Sequence, residues 1–223
     1  MSYYKDLRTI SINEYKELLM TMELIKSRQV LRDDIDRQFS ILQNHGIENL
    51  EQLSNALKSK KKLEEFSKNS GIDINYLTVL NREINSLQPK ANRFSDLPCL
   101  DEEVVSKLEA AGYKDTYRMY DQIVDPEKRH SIAYTLNIQS DTMDIIAKYV
   151  DISRIRWVNH TFAYMLLMVN YDCVEKIARA DANKLYNDIK TKNEKEHLYK
   201  GNVGLNDMKI LIQWAEWVQE NLE

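Results

Sequence analysis

LPCLDEEVVSKLEAAGYKDT, residues 97–116, encloses one short helix between two punctuation points. Asp101, Glu102 and Glu103 suit the positive N-terminal end of a helix. Val105 and Leu108 lie three residues apart, on one helical face. Gly112 then supplies the residue that best tolerates the left-handed turn closing a helix. Four and seven residues beyond it, Thr116 and Met119 open a second short apolar face.

The same arrangement recurs along the chain. Around Gly46 the corresponding positions are Phe39 and Leu42 before, and Leu50 and Leu53 after. Around Asn170 they are Ala163 and Leu166, then Val174 and Ile177. Asparagine is the usual second choice for a left-handed residue, so Asn170 stands in for glycine. A further turn follows 25 residues later in the first two copies, at Gly71 and Asn137, and Gly204 is assigned that role in the third. The spacing predicts three tandem units of four short helices. We place them at 31–90, 91–150 and 151–223, after an N-terminal helical lead at 1–30. Within that lead, Ser11 and Glu14 form a capping-box pattern opening a helix through about Lys26. Asp125-Pro126 opens another. LQPKANRFSDLP (87–98) reads as a linker, and the polar stretch 187–203 as an inserted loop.

Composition agrees with a helical fold. Five glycines and three prolines in 223 residues are too few for the turns of a β-rich chain this long. The net charge of −4 is spread unevenly. Residues 1–90 carry 14 basic and 13 acidic groups, 91–150 carry 7 and 11, and 151–223 carry 10 and 11. No third has the positive excess of a free-standing nucleic-acid binder. Cys99 and Cys173 show neither zinc-ligand spacing nor a disulfide framework. With no apolar leader and no run of 18 apolar residues, the expectation is a soluble, cytoplasmic protein without a membrane partner.

At its hairpins the sequence resembles the helix-hairpin-helix superfamily. That motif runs apolar, Pro, Gly, apolar, Gly, three variable residues, Ala, then an apolar position. Leu97-Pro98-Cys99-Leu100-Asp101 follows it with Cys99 and Asp101 in both glycine positions, and Val105 and Leu108 in the later ones. In Ile155-Arg156-Trp157-Val158-Asn159, Trp157 and Asn159 replace the glycines, while Ala163 and Leu166 are retained. The first hairpin, near Arg32-Asp33-Asp34, is barely recognisable. Over roughly residues 15–220 the chain also resembles an uncharacterised bacterial family of tandem helix-hairpin-helix-like domains, classed as a domain of unknown function. GIENLEQLSNALKSKKKLEEF and DISRIRWVNHTFAYMLLMVNYDCVEKIARADANKLY carry that likeness. It implies an all-α fold of short-helix repeats and names no activity.

In an intact hairpin of this type the glycines let backbone N–H groups approach a phosphate. The third hairpin is the best remaining candidate. Arg154 and Arg156 flank it, and Asn159, His160 and Thr161 supply donors at a helix start. Trp157 adds a ring able to stack on a base. Lys58, Lys60, Lys61 and Lys62 form the densest basic run, a second contact for nucleic acid or a solvated helix start balanced by Glu64 and Glu65. His45, His130, His160 and His197 lack metal-ligand spacing, and no nucleotide-binding, metalloprotease or nucleophile-elbow motif is present. No cofactor, metal or catalytic residue is assigned. The reading is a non-catalytic binding or scaffold module, acting by protein–protein interaction or self-association. The alternative is sequence-independent nucleic-acid binding through the third hairpin.

Overall fold

A computed structural model describes residues 2–219, and the protein is all-α. Among the described residues there is no strand, only two isolated antiparallel bridges. Residues 4–88 form one compact unit, and residues 2–3 with 89–219 form a second.

In the first unit, the Ser11 hydroxyl accepts the Glu14 N–H at 3.1 Å while Glu14 accepts the Ser11 N–H at 2.7 Å. This reciprocal cap starts α1 (Ile12–Thr21), which ends before the expected Lys26. Arg32 explains the early stop: its guanidinium takes the carbonyls of Leu19 and Met22, freed where the helix ends. A 3₁₀ helix (Lys26–Arg32) leads into α2 (Ile35–Asn44), α3 (Leu50–Leu57), α4 (Lys60–Ser70) and α5 (Ile74–Asn85). Phe39, Leu42, Leu50, Leu53, Leu77 and Leu80 are buried between them. Glu83 is also buried and meets Arg28 at 2.8 Å.

The second unit holds a 3₁₀ turn (Phe94–Asp96) and eight helices. These are α6 (Glu102–Ala110), α7 (Thr116–Ile123), α8 (Pro126–Thr135), α9 (Ser140–Ile152), α10 (His160–Met168), α11 (Val174–Ala178), α12 (Ala182–Glu196) and α13 (Leu205–Gln219). Asp125 caps α8 through its carboxylate. Part of the expected linker is packed: Phe94 and Leu97 are buried, and so is Asn92. The Trp214 and Trp217 rings of α13 are buried and meet edge-on at 5.5 Å.

One turn recurs. Gly46, Gly112 and Asn170 have φ of 78°, 90° and 63°. The next residues, Ile47, Tyr113 and Tyr171, donate N–H to the carbonyls of Leu42, Leu108 and Leu166 at 3.1, 2.8 and 3.0 Å. This six-to-one bond satisfies a carbonyl that the helix end leaves open. Gly71 and Asn137 are left-handed too, at 74° and 49°. Gly204 is not. The left-handed residue after α12 is His197, at φ 51°, and Gly204 instead donates its N–H to Asp207 at the start of α13.

The stretch 187–203 is not a loop throughout, because α12 runs to Glu196. Leu185 and Ile189 bury one face of it, and ion pairs of Lys184 with Asp188 and Lys192 with Glu196 brace the exposed side. Polar composition alone had hidden this narrow amphipathic pattern.

Candidate functional site

The third hairpin joins α9 to α10, and its geometry starts with Asp151 near the end of α9. Each second short helix of the chain opens with an N–H needing an acceptor. Leu50 donates to the Ile10 carbonyl at 3.1 Å, and Thr116 to the Asn92 carbonyl at 2.9 Å. Val174, opening α11, donates to Asp151 Oδ2 at 2.8 Å. A side chain thus replaces the main-chain acceptor at the third such turn. The other Asp151 oxygen accepts from Arg154 Nη1 at 2.9 Å.

Arg154 is therefore turned inward. It is 5% exposed, its Nε donates to the Tyr3 carbonyl at 3.4 Å, and its guanidinium lies 4.9 Å from the Tyr120 ring centroid. Arg156 is 3% exposed and lies between two indoles, 4.0 Å from the Trp157 ring and 4.5 Å from that of Trp214. Both side chains flank the hairpin named as a phosphate-binding candidate, and each guanidinium is desolvated against aromatic faces.

The backbone is equally engaged. Val158 N–H donates to Ile155 O at 3.2 Å, and Asn159 N–H donates to Trp157 O at 3.1 Å. The buried Asn92 side chain donates to both Ser153 Oγ and Val158 O at 3.0 Å, pinning the hairpin from below. Its own N–H reaches Thr116 Oγ1, which also pairs with the Tyr3 hydroxyl at 2.8 Å. Every member of this buried network has a partner, which fixes one hairpin geometry. Trp157 occupies a glycine position of the motif and takes a glycine-like φ of 67° while 42% exposed. The Asn159 side chain caps α10, accepting the Phe162 N–H at 2.9 Å. His160 and Thr161 lie in the first turn of α10, each half-buried.

Lys58, Lys60, Lys61 and Lys62 belong to the first unit and are exposed at the end of α3 and the start of α4. Lys60 faces Glu64 and Lys61 faces Glu65, both at 3.9 Å, and Lys62 bonds the Asn55 carbonyl. Cys99 is exposed and Cys173 half-buried, each a free thiol. Among the described residues no three His, Cys, Asp or Glu side chains converge as metal ligands. None of the described helices is long and apolar enough to cross a membrane.

Asp151, Asn92 and Tyr3 escaped the sequence reading. Their roles depend on partners 23, 61 and 113 residues away, and no local pattern marks them.

An all-α chain with a hairpin closed upon its own side chains gives no reaction class by itself. The family is nonetheless shown. Residues 98–220, more than half of the chain, match the domain of unknown function DUF4332, and the protein belongs to that family. No curated protein and no solved structure matches the chain.

Proposed function

We propose that the chain is a non-catalytic, cytoplasmic binding or scaffold module built from three degenerate helix-hairpin-helix units, and that its ligand is a protein. The units correspond to α2–α5, α6–α9 and α10–α13, each hinged at a left-handed turn. The observation carrying this reading is the burial of Arg154 and Arg156, which leaves the hairpin no outward guanidinium for a phosphate. The exposed apolar side chains belong to helices instead. Tyr134 of α8 is 87% exposed and Tyr117 of α7 is 55% exposed, with Val124 after α7 and Ile145 of α9 also open. Such groups anchor protein interfaces better than polyanions.

The test is light scattering after size exclusion, paired with capture from the native host. Wild type should self-associate or retain a defined protein, and Tyr134→Glu with Val124→Glu should lose it. A strict monomer that retains nothing counts against the reading.

Nucleic-acid binding is the second reading, supported by the exposed Trp157 ring and the exposed Lys58–Lys62 run. Titration of DNA and RNA at two salt concentrations separates the two. Binding that weakens steeply with salt and is lost in Trp157→Gly or in Lys60→Glu/Lys61→Glu favours nucleic acid. Arg154 and Arg156 are unsuitable for this test, since their removal disturbs the fold.

A further inference from the structure

Beside α7, α8 and α9 lies a cavity of about 230 Å³. Ile123, Val124, Ala147 and Val150 give it an apolar side. Tyr120 also lines it. That residue is 3% exposed, and its ring is held by the edge of Tyr3 at 5.5 Å and by Arg154. Its hydroxyl is buried and has no hydrogen-bond partner. Buried phenols almost always find an acceptor, so an isolated one at a cavity wall points to a ligand that brings the acceptor with it.

The charges around the cavity select the kind of acceptor. Arg129, Lys148, Asp151 and Asp172 line it. Both acids are compensated from outside the lining: Asp151 by Arg154 and the Val174 N–H, Asp172 by Lys176 at 2.5 Å. Lys148 also reaches Asp172, at 2.9 Å, but its side chain is half exposed. It can turn to a ligand while Lys176 keeps Asp172 neutralised. Arg129 meets the exposed carboxylate of Asp144 at 3.3 Å. Counting these partners and Asp121, whose charge also acts on the Tyr120 hydroxyl, four cations stand against four carboxylates, so the preference for an anion rests on Lys148, the cation able to turn to a ligand. The apolar side favours an anion with a hydrocarbon body over inorganic phosphate. On this measure a single water needs about 10–15 Å³, so the volume is ample for a small organic acid.

We propose that this cavity binds a small carboxylic acid with an apolar body, the carboxylate accepting the Tyr120 hydroxyl proton and pairing with Lys148. The hydrocarbon part rests on Ile123, Ala147 and Val150.

Benzoate is the probe, with benzamide as its neutral isostere and inorganic phosphate as the bare anion, each titrated into the full chain and followed by amide chemical shifts. Benzoate should shift amides of α7 and α9 with millimolar affinity. Benzamide should bind at least about fivefold more weakly, and phosphate should leave these amides unmoved. Tyr120→Phe, which removes a hydroxyl with no partner in the folded chain, should keep its melting temperature and bind benzoate about tenfold more weakly. Val124→Trp, placed at the open side, should block the cavity and abolish the shifts. Unmoved amides with benzoate, equal affinity for benzamide, phosphate binding as well as benzoate, or unchanged affinity in Tyr120→Phe would each overturn the proposal.

Discussion

Asp151 holds the first N–H of α11 and the Arg154 guanidinium with its two oxygens, at 2.8 and 2.9 Å. Its partner Arg154 is almost wholly buried, so removing the carboxylate strands a cation away from water. It also leaves the Val174 N–H without its acceptor. Breaking a buried pair from one side typically costs about 3–5 kcal/mol. Asp151 itself is one-third exposed, which places the expectation for Asp151→Ala near the lower end, about 3 kcal/mol. Asp151→Asn keeps an acceptor for Val174 and should lose less. Urea unfolding of the three proteins checks the order.

Trp157 sits in the left-handed region at φ 67°, a place where an L side chain costs about 1–2 kcal/mol. Its ring is retained by the stack on Arg156, so Trp157→Gly combines a gain and a loss. Comparing two truncations separates them. Trp157→Gly should be more stable than Trp157→Ala by about 1 kcal/mol, because both lose the ring and only glycine relieves the backbone. Equal melting curves for the two would mean that the hairpin readily relaxes out of this conformation.

Much of the helical frame was legible in the sequence, and the hairpin was not, for a definite reason. Asn137 and Asn170 could be read as glycine substitutes because asparagine's tolerance of positive φ is a property of the residue itself. The Ser11 and Asp125 caps likewise act within three residues. Arg154 and Arg156 read as surface charges because arginine usually is one. What turns them inward is a set of distant partners: Tyr3 for one and Trp214 for the other. The same holds for Tyr120, whose missing partner is a fact of three-dimensional packing.

Asp172 supplies the pH dependence. Burial alone would raise its carboxyl, but hydrogen bonds from Lys176 and Lys148 outweigh burial and hold it below the ordinary 3.8. A carboxyl depressed in the folded state contributes stability above its unfolded value. That contribution is lost as pH falls through the folded one. Wild type should therefore lose stability between about pH 5.5 and about pH 2.5 more steeply than Asp172→Asn, whose amide does not titrate. Urea midpoints across that range measure the difference. Parallel slopes would remove Asp172 from the acid response.

Helix α12 gives a test of the segment that composition disguised. Asn193, one turn from its end, clamps the chain that follows: its Oδ1 accepts the Tyr199 N–H at 2.8 Å and its Nδ2 donates to the Tyr199 carbonyl at 2.9 Å. Tyr199 in turn meets the Phe162 ring of α10 at 6.0 Å. Asn193→Ala removes two part-buried hydrogen bonds and should destabilise by about 1–2 kcal/mol. His197→Gly should act the other way, by about 1 kcal/mol, since it relieves the positive φ at the helix end. Amides 190–196 should exchange slowly in wild type, because each lies in the hydrogen-bonded body of the helix, and faster in Asn193→Ala as the last turn frays. Rapid exchange throughout this stretch in wild type would return it to a loop, and would leave Leu185 and Ile189 without the rigid helix that buries them.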